Sequence, residues 1–256
     1  MNRVRTYFLA TTAVMALSGS AYAADLPLAK APMLAAIPYG TWEGAYVGGH
    51  IGAGRLNASC TETAPSYGYY GGCSSYDASG YGSMNSTSTS ATGLIGGVQA
   101  GYDWQQKYFV YGVVADWSWT DLKHSVKGAS TGATVSTFTA QVDWLASFRG
   151  RVGLAVDDTM VYLTGGLALA DLKSSSNYQI TGATYSHGTL NKVKGGWVAG
   201  TGLEHKFGPH WSGFAEVLYY DFGSNQATNV GQYGYSYTSE FTHEITVGRV
   251  GVNYRW

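Results

Sequence analysis

The last residues of the chain alternate strictly between apolar and polar side chains. One parity holds Gly248, Val250, Val252, Tyr254 and Trp256, whereas the other holds Arg249, Asn253 and Arg255. Successive side chains of a β-strand point to opposite faces, so this pattern predicts a strand with one apolar and one polar face. The same period of two marks eight segments, over about residues 41–56, 92–105, 108–121, 138–154, 159–171, 192–206, 211–223 and 242–256. The sequence therefore predicts an all-β chain.

This alternation fits two architectures, a soluble sandwich with one wet face and a closed barrel in a membrane. Two features favour the barrel. The polar parity carries both signs of charge, as expected of a crowded, paired interior, at Asp103, Asp116, Asp143, Arg149, Arg151, Glu204, Glu216, Arg249 and Arg255. Aromatic residues cluster at strand ends, as in interfacial girdles, at Trp42, Trp104, Tyr108, Trp117, Trp119, Trp211, Tyr219, Tyr220, Tyr254 and Trp256. We predict an eight-stranded antiparallel up-and-down transmembrane β-barrel over residues 41–256.

In two segments it is hardest to assign the lipid-facing side from odd and even positions, a procedure that we call the parity rule. In the fourth segment the rule assigns Ala140, Val142, Trp144, Ala146 and Phe148 to the lipid-facing side, opposite Asp143, Arg149 and Arg151. In the first segment Tyr46, Val47, His50 and Ile51 do not sort cleanly by parity, so its faces stay unassigned.

The N-terminus predicts export from the cytoplasm. Residues 1–23 combine a short positive region, an apolar stretch too short to span a membrane, and an Ala21-Tyr22-Ala23 cleavage signature. Residues 24–40 then form a Pro- and Ala-rich leader. Export implies an oxidising environment, which predicts a disulfide between Cys60 and Cys73. The charge disfavours nucleic-acid binding, because the formal net charge is −1 and no basic run occurs.

Connection lengths orient the predicted barrel. The connections after the second, fourth and sixth segments are tight, whereas those after the first, third, fifth and seventh are long and polar. Outer-membrane barrels have short periplasmic turns and long extracellular loops, so both mature termini are predicted to lie in the periplasm.

Three stretches carry a family resemblance: the mature start ADLP, the opening WEGAYVGGHIG, and the end TVGRVGVNYRW. Together they resemble the alphaproteobacterial small outer-membrane β-barrel proteins, relatives of the OmpA membrane domain that are often labelled a porin family. The resemblance implies an assembly signal at Val252, Tyr254 and Trp256, which the barrel-assembly machinery reads. It further implies covalent attachment of Ala24 to peptidoglycan, and haemin binding or surface-antigen roles in some members.

These expectations leave several functions open. An eight-stranded lumen is filled by side chains, so we expect interior packing in preference to an ion path. A structural envelope role, with a peptidoglycan tether, is the favoured function, and outer-membrane lipid and lipopolysaccharide are the expected surroundings. The alternative is capture of haemin or a host factor by Tyr- and His-rich loops, with His187, Tyr69 and Tyr70 as haem-iron candidates. No catalytic residue or metal site is predicted, and no cofactor apart from the haemin of this alternative, because the sequence contains neither a His-Glu-x-x-His motif nor a Gly-Lys-Ser/Thr phosphate loop. His243 and Glu244 are the nearest match to a lipid-modifying enzyme, but adjacent strand residues point to opposite faces.

Overall fold

The computed structural model describes residues 41–63, 86–127, 134–180, 183–230 and 236–256. The predicted signal peptide and leader lie outside these residues, as do Ala24, Tyr69, Tyr70 and Cys73. No helix among the described residues is long and apolar enough to cross a membrane.

Eight antiparallel strands form one closed barrel in which each strand pairs with the next and the last pairs with the first. The strands are β1 (Gly44–Thr63), β2 (Ser86–Gln106), β3 (Phe109–Lys127), β4 (Thr134–Val156), β5 (Thr159–Ile180), β6 (Ala183–Lys206), β7 (Trp211–Val230) and β8 (Ser236–Arg255). This architecture confirms the predicted fold.

Three tight hairpin turns lie at the end of the barrel that also carries Trp42 and Trp256, which we call the near end. Two of these turns place a non-glycine residue in the left-handed region, Lys107 at φ 58° and Asp157 at φ 52°. Two-residue hairpins require this conformation because its twist matches that of the flanking strands.

The opposite, far end differs from the sequence prediction. β3 and β4 stay paired as far as Lys127 and Thr137, β5 and β6 as far as Ile180 and Ala183, and β7 and β8 as far as Val230 and Ser236. Most residues assigned to long loops after the third, fifth and seventh segments are therefore strand. Ser and Thr occupy both parities there, so no apolar alternation marks the ladder in the sequence.

An apolar band surrounds the near half of the barrel. Outward side chains in this band include Ile51, Leu94, Phe148, Val152, Leu163, Leu167, Val217, Val250 and Val252, all of them exposed on the isolated chain. The band covers about residues 45–53, 94–104, 109–119, 146–156, 161–169, 197–205, 211–219 and 248–256 of the eight strands. Beyond it, outward positions on β1 and β8 become polar at Arg55, Asn57, Glu244 and Thr242.

The ladder opens at two seams in the far half. β2 and β3 pair only as far as Ile95 and Thr120, and β6 and β7 only as far as Trp197 and Asp221. Register shifts lie beside both seams, between Trp119 and Leu122 on β3 and between Asp221 and Ser224 on β7. Such bulges bend a strand away from its neighbour. The far half therefore consists of two four-stranded leaves, leaf A (β3–β6) and leaf B (β7, β8, β1 and β2).

The barrel interior has three zones. At the near end, a near plug consists of Trp42, Val110, Ala155, Met160 and Tyr162. Charged residues fill the zone inside the apolar band. Between the two leaves lies a far core, whose members include Leu56, Ile95, Leu122, Phe138, Val142, Leu145, Leu172, Leu218, Phe222, Phe241 and Ile245.

Candidate functional site

Four charged residues from alternate strands meet just inside the near plug and form what we call the near quartet. Asp103 of β2, Arg151 of β4, Glu204 of β6 and Arg255 of β8 are all almost fully buried. Arg151 donates from Nε to Asp103 Oδ1 at 2.7 Å and from Nη1 to Glu204 Oε2 at 2.9 Å. Arg255 Nη2 lies 2.7 Å from Asp103 Oδ2. Two cations and two anions alternate around the lumen, so the quartet is neutral.

Uncharged groups complete the near quartet. Ser212 Oγ donates to Glu204 Oε1 at 2.6 Å, and Asn253 Nδ2 donates to the same oxygen at 3.0 Å. The ring of Tyr46 lies 4.6 Å from the guanidinium carbon of Arg151 and 4.9 Å from that of Arg255. Cation–π contacts of this kind strengthen when the cation is desolvated. Tyr46 thus belongs to the interior, although sequence parity did not assign it.

A second set, the far quartet, lies between the near quartet and the far core. It contains Asp116 of β3, Arg149 of β4, Glu216 of β7 and Arg249 of β8. Glu216 accepts from Arg149 Nη1 at 2.8 Å and from Arg249 Nε at 2.8 Å. Arg249 Nη1 and Ser147 Oγ also donate to Asp116. This quartet is neutral as well, and β8 contributes an arginine to both.

His50 joins the far quartet as a neutral imidazole. Its Nε2 lies 2.9 Å from Ser118 Oγ and 3.3 Å from Arg249 Nη1. A guanidinium only donates, so Nε2 accepts and the ring proton is assigned to Nδ1. Tyr46 and His50 face inward while Val47 and Ile51 face outward. The first strand therefore does sort by parity, with ring-bearing polar residues on its inner face.

Asp143 is an exception among the residues predicted to face the interior. A register shift between Val142 and Leu145 inserts one extra residue into β4 relative to β5, so the two sides of the bulge have opposite parity. Ala140 and Val142 consequently point into the far core, and their predicted lipid-facing position is wrong. Asp143 lies outside the lumen and beyond the apolar band, where it pairs with Lys173. Hydrogen bonds from Lys173 and Gln141 hold the pKa of Asp143 below its ordinary value.

The aromatic residues predicted to form girdles divide between two locations. Trp211 and Tyr254 pack edge to face at the near end with centroids 5.1 Å apart, and Trp117 stacks on Trp144 at 4.4 Å near the far edge of the band. Trp42 and Tyr220 are instead buried in the interior, where they belong to the near plug and the far core. Their girdle assignment is wrong because their parity is inward.

Trp42 anchors the segment that enters β1, in an arrangement we call the Trp42 socket. Its backbone N–H donates to Gln105 Oε1 at 2.6 Å, and its indole N–H reaches the carbonyl of Asp157 at 3.4 Å. Arg255 Nη1 donates to the Trp42 carbonyl, and Lys206 Nζ donates to the Thr41 carbonyl. Lys206 also lies 4.5 Å from the indole ring. Trp42 is therefore contacted by one residue at or near the end of each of β2, β4, β6 and β8, namely Gln105, Asp157, Lys206 and Arg255.

The remaining predicted residues are placed as follows. Val252 and Tyr254 lie on the outer face of β8, and Tyr254 packs edge to face against Trp256, the residue after the strand, with centroids 5.5 Å apart. Cys60 is buried in the far core, and its predicted disulfide partner lies outside the described residues. The side chain of His187 on β6 also lies outside them. His243 points inward and Glu244 outward, as strand alternation predicts.

We expect no large conductance from this interior. Both quartets are ion-paired and buried, and the near plug and the far core close the two sides. Planar-bilayer recordings of the folded protein should show only small, irregular currents. A steady conductance of nanosiemens size would contradict the filled lumen, because a general diffusion pore needs about 16 strands.

Comparisons with known proteins identify the family. No family model matches the chain. The 31 kDa outer-membrane immunogenic protein of Brucella melitensis biotype 1 is 32% identical over 263 residues, which cover 99% of this chain and 100% of that protein. The chain belongs to this family of small outer-membrane proteins.

Other members of the small outer-membrane protein family are also similar. The 25 kDa outer-membrane immunogenic protein of Brucella abortus biovar 1 is 26% identical over 227 residues, covering 88% of this chain and 87% of that protein. The 22 kDa outer membrane protein of Rhizobium leguminosarum bv. viciae is 32% identical over 136 residues, covering 53% and 54%. Membership assigns this barrel to the outer membrane, so the apolar band is its lipid-facing surface.

Solved outer-membrane barrels resemble the chain more distantly. OprG of Pseudomonas aeruginosa superposes with a TM-score of 0.48 at 12% identity, covering 85% of this chain and 99% of that one. Ail of Yersinia pestis gives a TM-score of 0.35 at 13% identity, covering 81% and 99%.

Proposed function

We propose that this protein has a structural role in the cell envelope and that its mature N-terminus tethers the barrel to peptidoglycan. The Trp42 socket is the observation that supports this role. Any pull on the leader reaches the barrel at Thr41 and Trp42, whose contacts spread the load over four strands besides β1. An ordinary strand entry, bonded only to its sheet neighbours, would concentrate the same load on β1.

The leader has the length and chemistry that a tether needs. Residues 24–40 reach roughly 55 Å when extended at ~3.3 Å per residue. Cleavage after Ala23 leaves the α-amine of Ala24 free. This amine attacks the carbonyl of a peptidoglycan stem peptide that a transpeptidase holds as an acyl-enzyme; an amide forms, the enzyme nucleophile leaves, and the amine loses a proton.

The proposed orientation follows from the tether. The near end, which carries Thr41 and Trp256, faces the periplasm, where both mature termini lie, and the far half faces the cell exterior. Lipid and lipopolysaccharide surround the apolar band, and the barrel-assembly machinery reads Val252 and Tyr254 on the outer face of β8 together with Trp256 after the strand. The ion-paired lumen suits a structural protein, because buried and mutually paired side chains occupy it where the two quartets meet.

Muropeptide analysis tests the tether directly. We expect muramidase-digested cell walls to release a barrel-derived peptide whose Ala24 nitrogen carries a stem peptide, identified by mass spectrometry. Lys30→Arg, which removes the ε-amine of the leader, should leave that product unchanged. Finding no such product in wild type, or finding the stem peptide on Lys30, would refute attachment at Ala24.

A further inference from the structure

The strands of the far half of the barrel are held together differently from those of the near half. Below the seams every strand is bonded to two neighbours, whereas above them leaf A and leaf B have no ladder between them in the described residues. Side chains must therefore hold the leaves together. The near half, which stays closed, is the natural hinge for any relative motion.

Apolar packing in the far core joins the two leaves. Phe138 of leaf A stacks on Phe241 of leaf B with centroids 6.0 Å apart and planes inclined by 15°. Leu172 and Val142 of leaf A join the same core as Leu56 and Ile245 of leaf B. Apolar packing of this kind is strong, but its strength does not depend on pH.

Among the described residues, two polar contacts also join the leaves. Ser174 Oγ on β5 lies 3.2 Å from His243 Nε2 on β8, inside the far core. Lys194 Nζ on β6 donates to the carbonyl of Ser224 on β7 at 2.8 Å, across the β6–β7 seam. The first contact is buried on both sides, with Ser174 and His243 each no more than 2% exposed.

The residues around His243 allow the two leaves to stay packed together only while its imidazole is neutral. Ala58 lies opposite it on β1, and the far core around it also contains Cys60 of β1, Ala140 of β4, Leu172 of β5 and Phe222 of β7. Its Nδ1 has no hydrogen-bond partner among the described residues. Lys194 on β6 is the charged group that acts on His243, and it opposes protonation of the imidazole; Asp221 on β7 acts on Lys194 in turn. A protonated imidazole here would be an unpaired buried cation beside a lysine.

We propose that His243 and Ser174 form an acid-sensitive latch between the two leaves, and that proton uptake by His243 loosens the far half of the barrel. The latch responds to proton binding at His243. The closed near half, with its paired quartets, keeps its structure while the leaves separate.

The direction of the pH response follows from the pKa values. Burial, reinforced by Lys194, lowers the pKa of His243 from 6.5 to about 4 in the closed form. An opened, hydrated His243 regains its ordinary pKa, so the open form binds the proton more tightly. The closed state therefore loses stability progressively as pH falls from about 6.5 to about 4, and keeps it fully above that window. At pH 4.5 the open population should rise by up to about a hundredfold, since each pKa unit is tenfold.

Hydrogen exchange of the full-length protein in lipid vesicles tests the latch. After correction for intrinsic exchange rates, far-half amides of β5 and β8 should exchange about 10- to 100-fold faster at pH 4.5 than at pH 7. Amides within the apolar band should keep their rates. His243→Leu should abolish the pH step, and Ser174→Ala should raise far-half exchange at both pH values while retaining the step.

A control variant separates the latch from general acid effects. His124→Gln alters an exposed histidine of the far half and should leave the step intact. The pKa of Asp143 is lowered by Lys173, so that pair stays ionised in this window. Should His243→Leu fail to fold, His243→Gln provides the same test with a neutral polar side chain. A pH step that persists in either His243 variant, or that is absent from wild type, overturns the proposal.

Discussion

Replacing Arg151 by alanine is expected to lower the free energy of unfolding by about 3–5 kcal/mol, the usual cost of removing one partner of a buried ion pair. Arg151 binds both carboxylates of the near quartet, and its replacement would leave Arg255 as the remaining arginine of that quartet. The rings of Tyr46 and Tyr162 would also lose the guanidinium that lies between them. Urea titration of the refolded barrel, followed by tryptophan fluorescence and by heat-modifiable gel migration, measures the change.

A matched control distinguishes the buried network from ion pairs in general. Lys173→Ala removes the cation that pairs with Asp143 outside the lumen, where both side chains are more than a third exposed, so no measurable change is expected. Arg151→Lys should fall between wild type and Arg151→Ala, because it keeps the charge but loses the two-pronged contact with Asp103. Equal stabilities of Arg151→Ala and Lys173→Ala would show that the near quartet contributes nothing net.

The buried networks also explain how the barrel closes in one register. Arg249 and Arg255 lie six positions apart on β8 and enter the far and near quartets respectively. A slip of β8 by one residue would turn both arginines towards lipid, and a slip by two would separate each from its carboxylates. Pairing of β8 with β1 is therefore coupled to correct pairing inside the lumen.

Sequence periodicity predicted the near half of the barrel well. On β3 and β8 the alternation is uninterrupted through the band, so Asp116, Arg249 and Arg255 face the lumen as expected. Residues that face lipid must be apolar, whereas the residues between them face a polar lumen. Both requirements are therefore visible in the sequence as a regular alternation. The same logic failed on β4, because the bulge near Asp143 reverses parity while alternation continues on either side.

Two other features could not be derived from a single sequence. Sequence parity left the face of Tyr46 unassigned, and only the three-dimensional arrangement shows that its ring faces two arginines. Glycine offers a partial signal: a Cβ at Gly101 would overlap the Tyr46 hydroxyl, and one at Gly112 would overlap the carboxylate of Asp103. The choice of partners within each quartet depends on strand stagger, which joins residues as distant in sequence as Asp103 and Arg255.

Replacing Trp42 by alanine is expected to cost about 3–5 kcal/mol of stability, as for other fully buried tryptophans. Trp42 is completely buried in the near plug, and its ring covers Lys206 and Arg255. Its removal would open the near end to water, so amides around the near quartet should lose exchange protection while far-core amides keep theirs. Urea titration and hydrogen exchange of the same sample measure both effects.

Trp42→Phe separates filling of the plug from the contacts of the socket. Phenylalanine keeps an aromatic ring but loses the indole N–H bond to the Asp157 carbonyl, so its stability should lie closer to wild type. Trp119→Ala, which removes a tryptophan that is 60% exposed on the outer surface, should not hydrate the near quartet. If Trp42→Ala kept full exchange protection around Asp103 and Glu204, the socket would be a passive strand entry. The load-spreading argument for the tether would then lose its structural basis, whatever the muropeptides show.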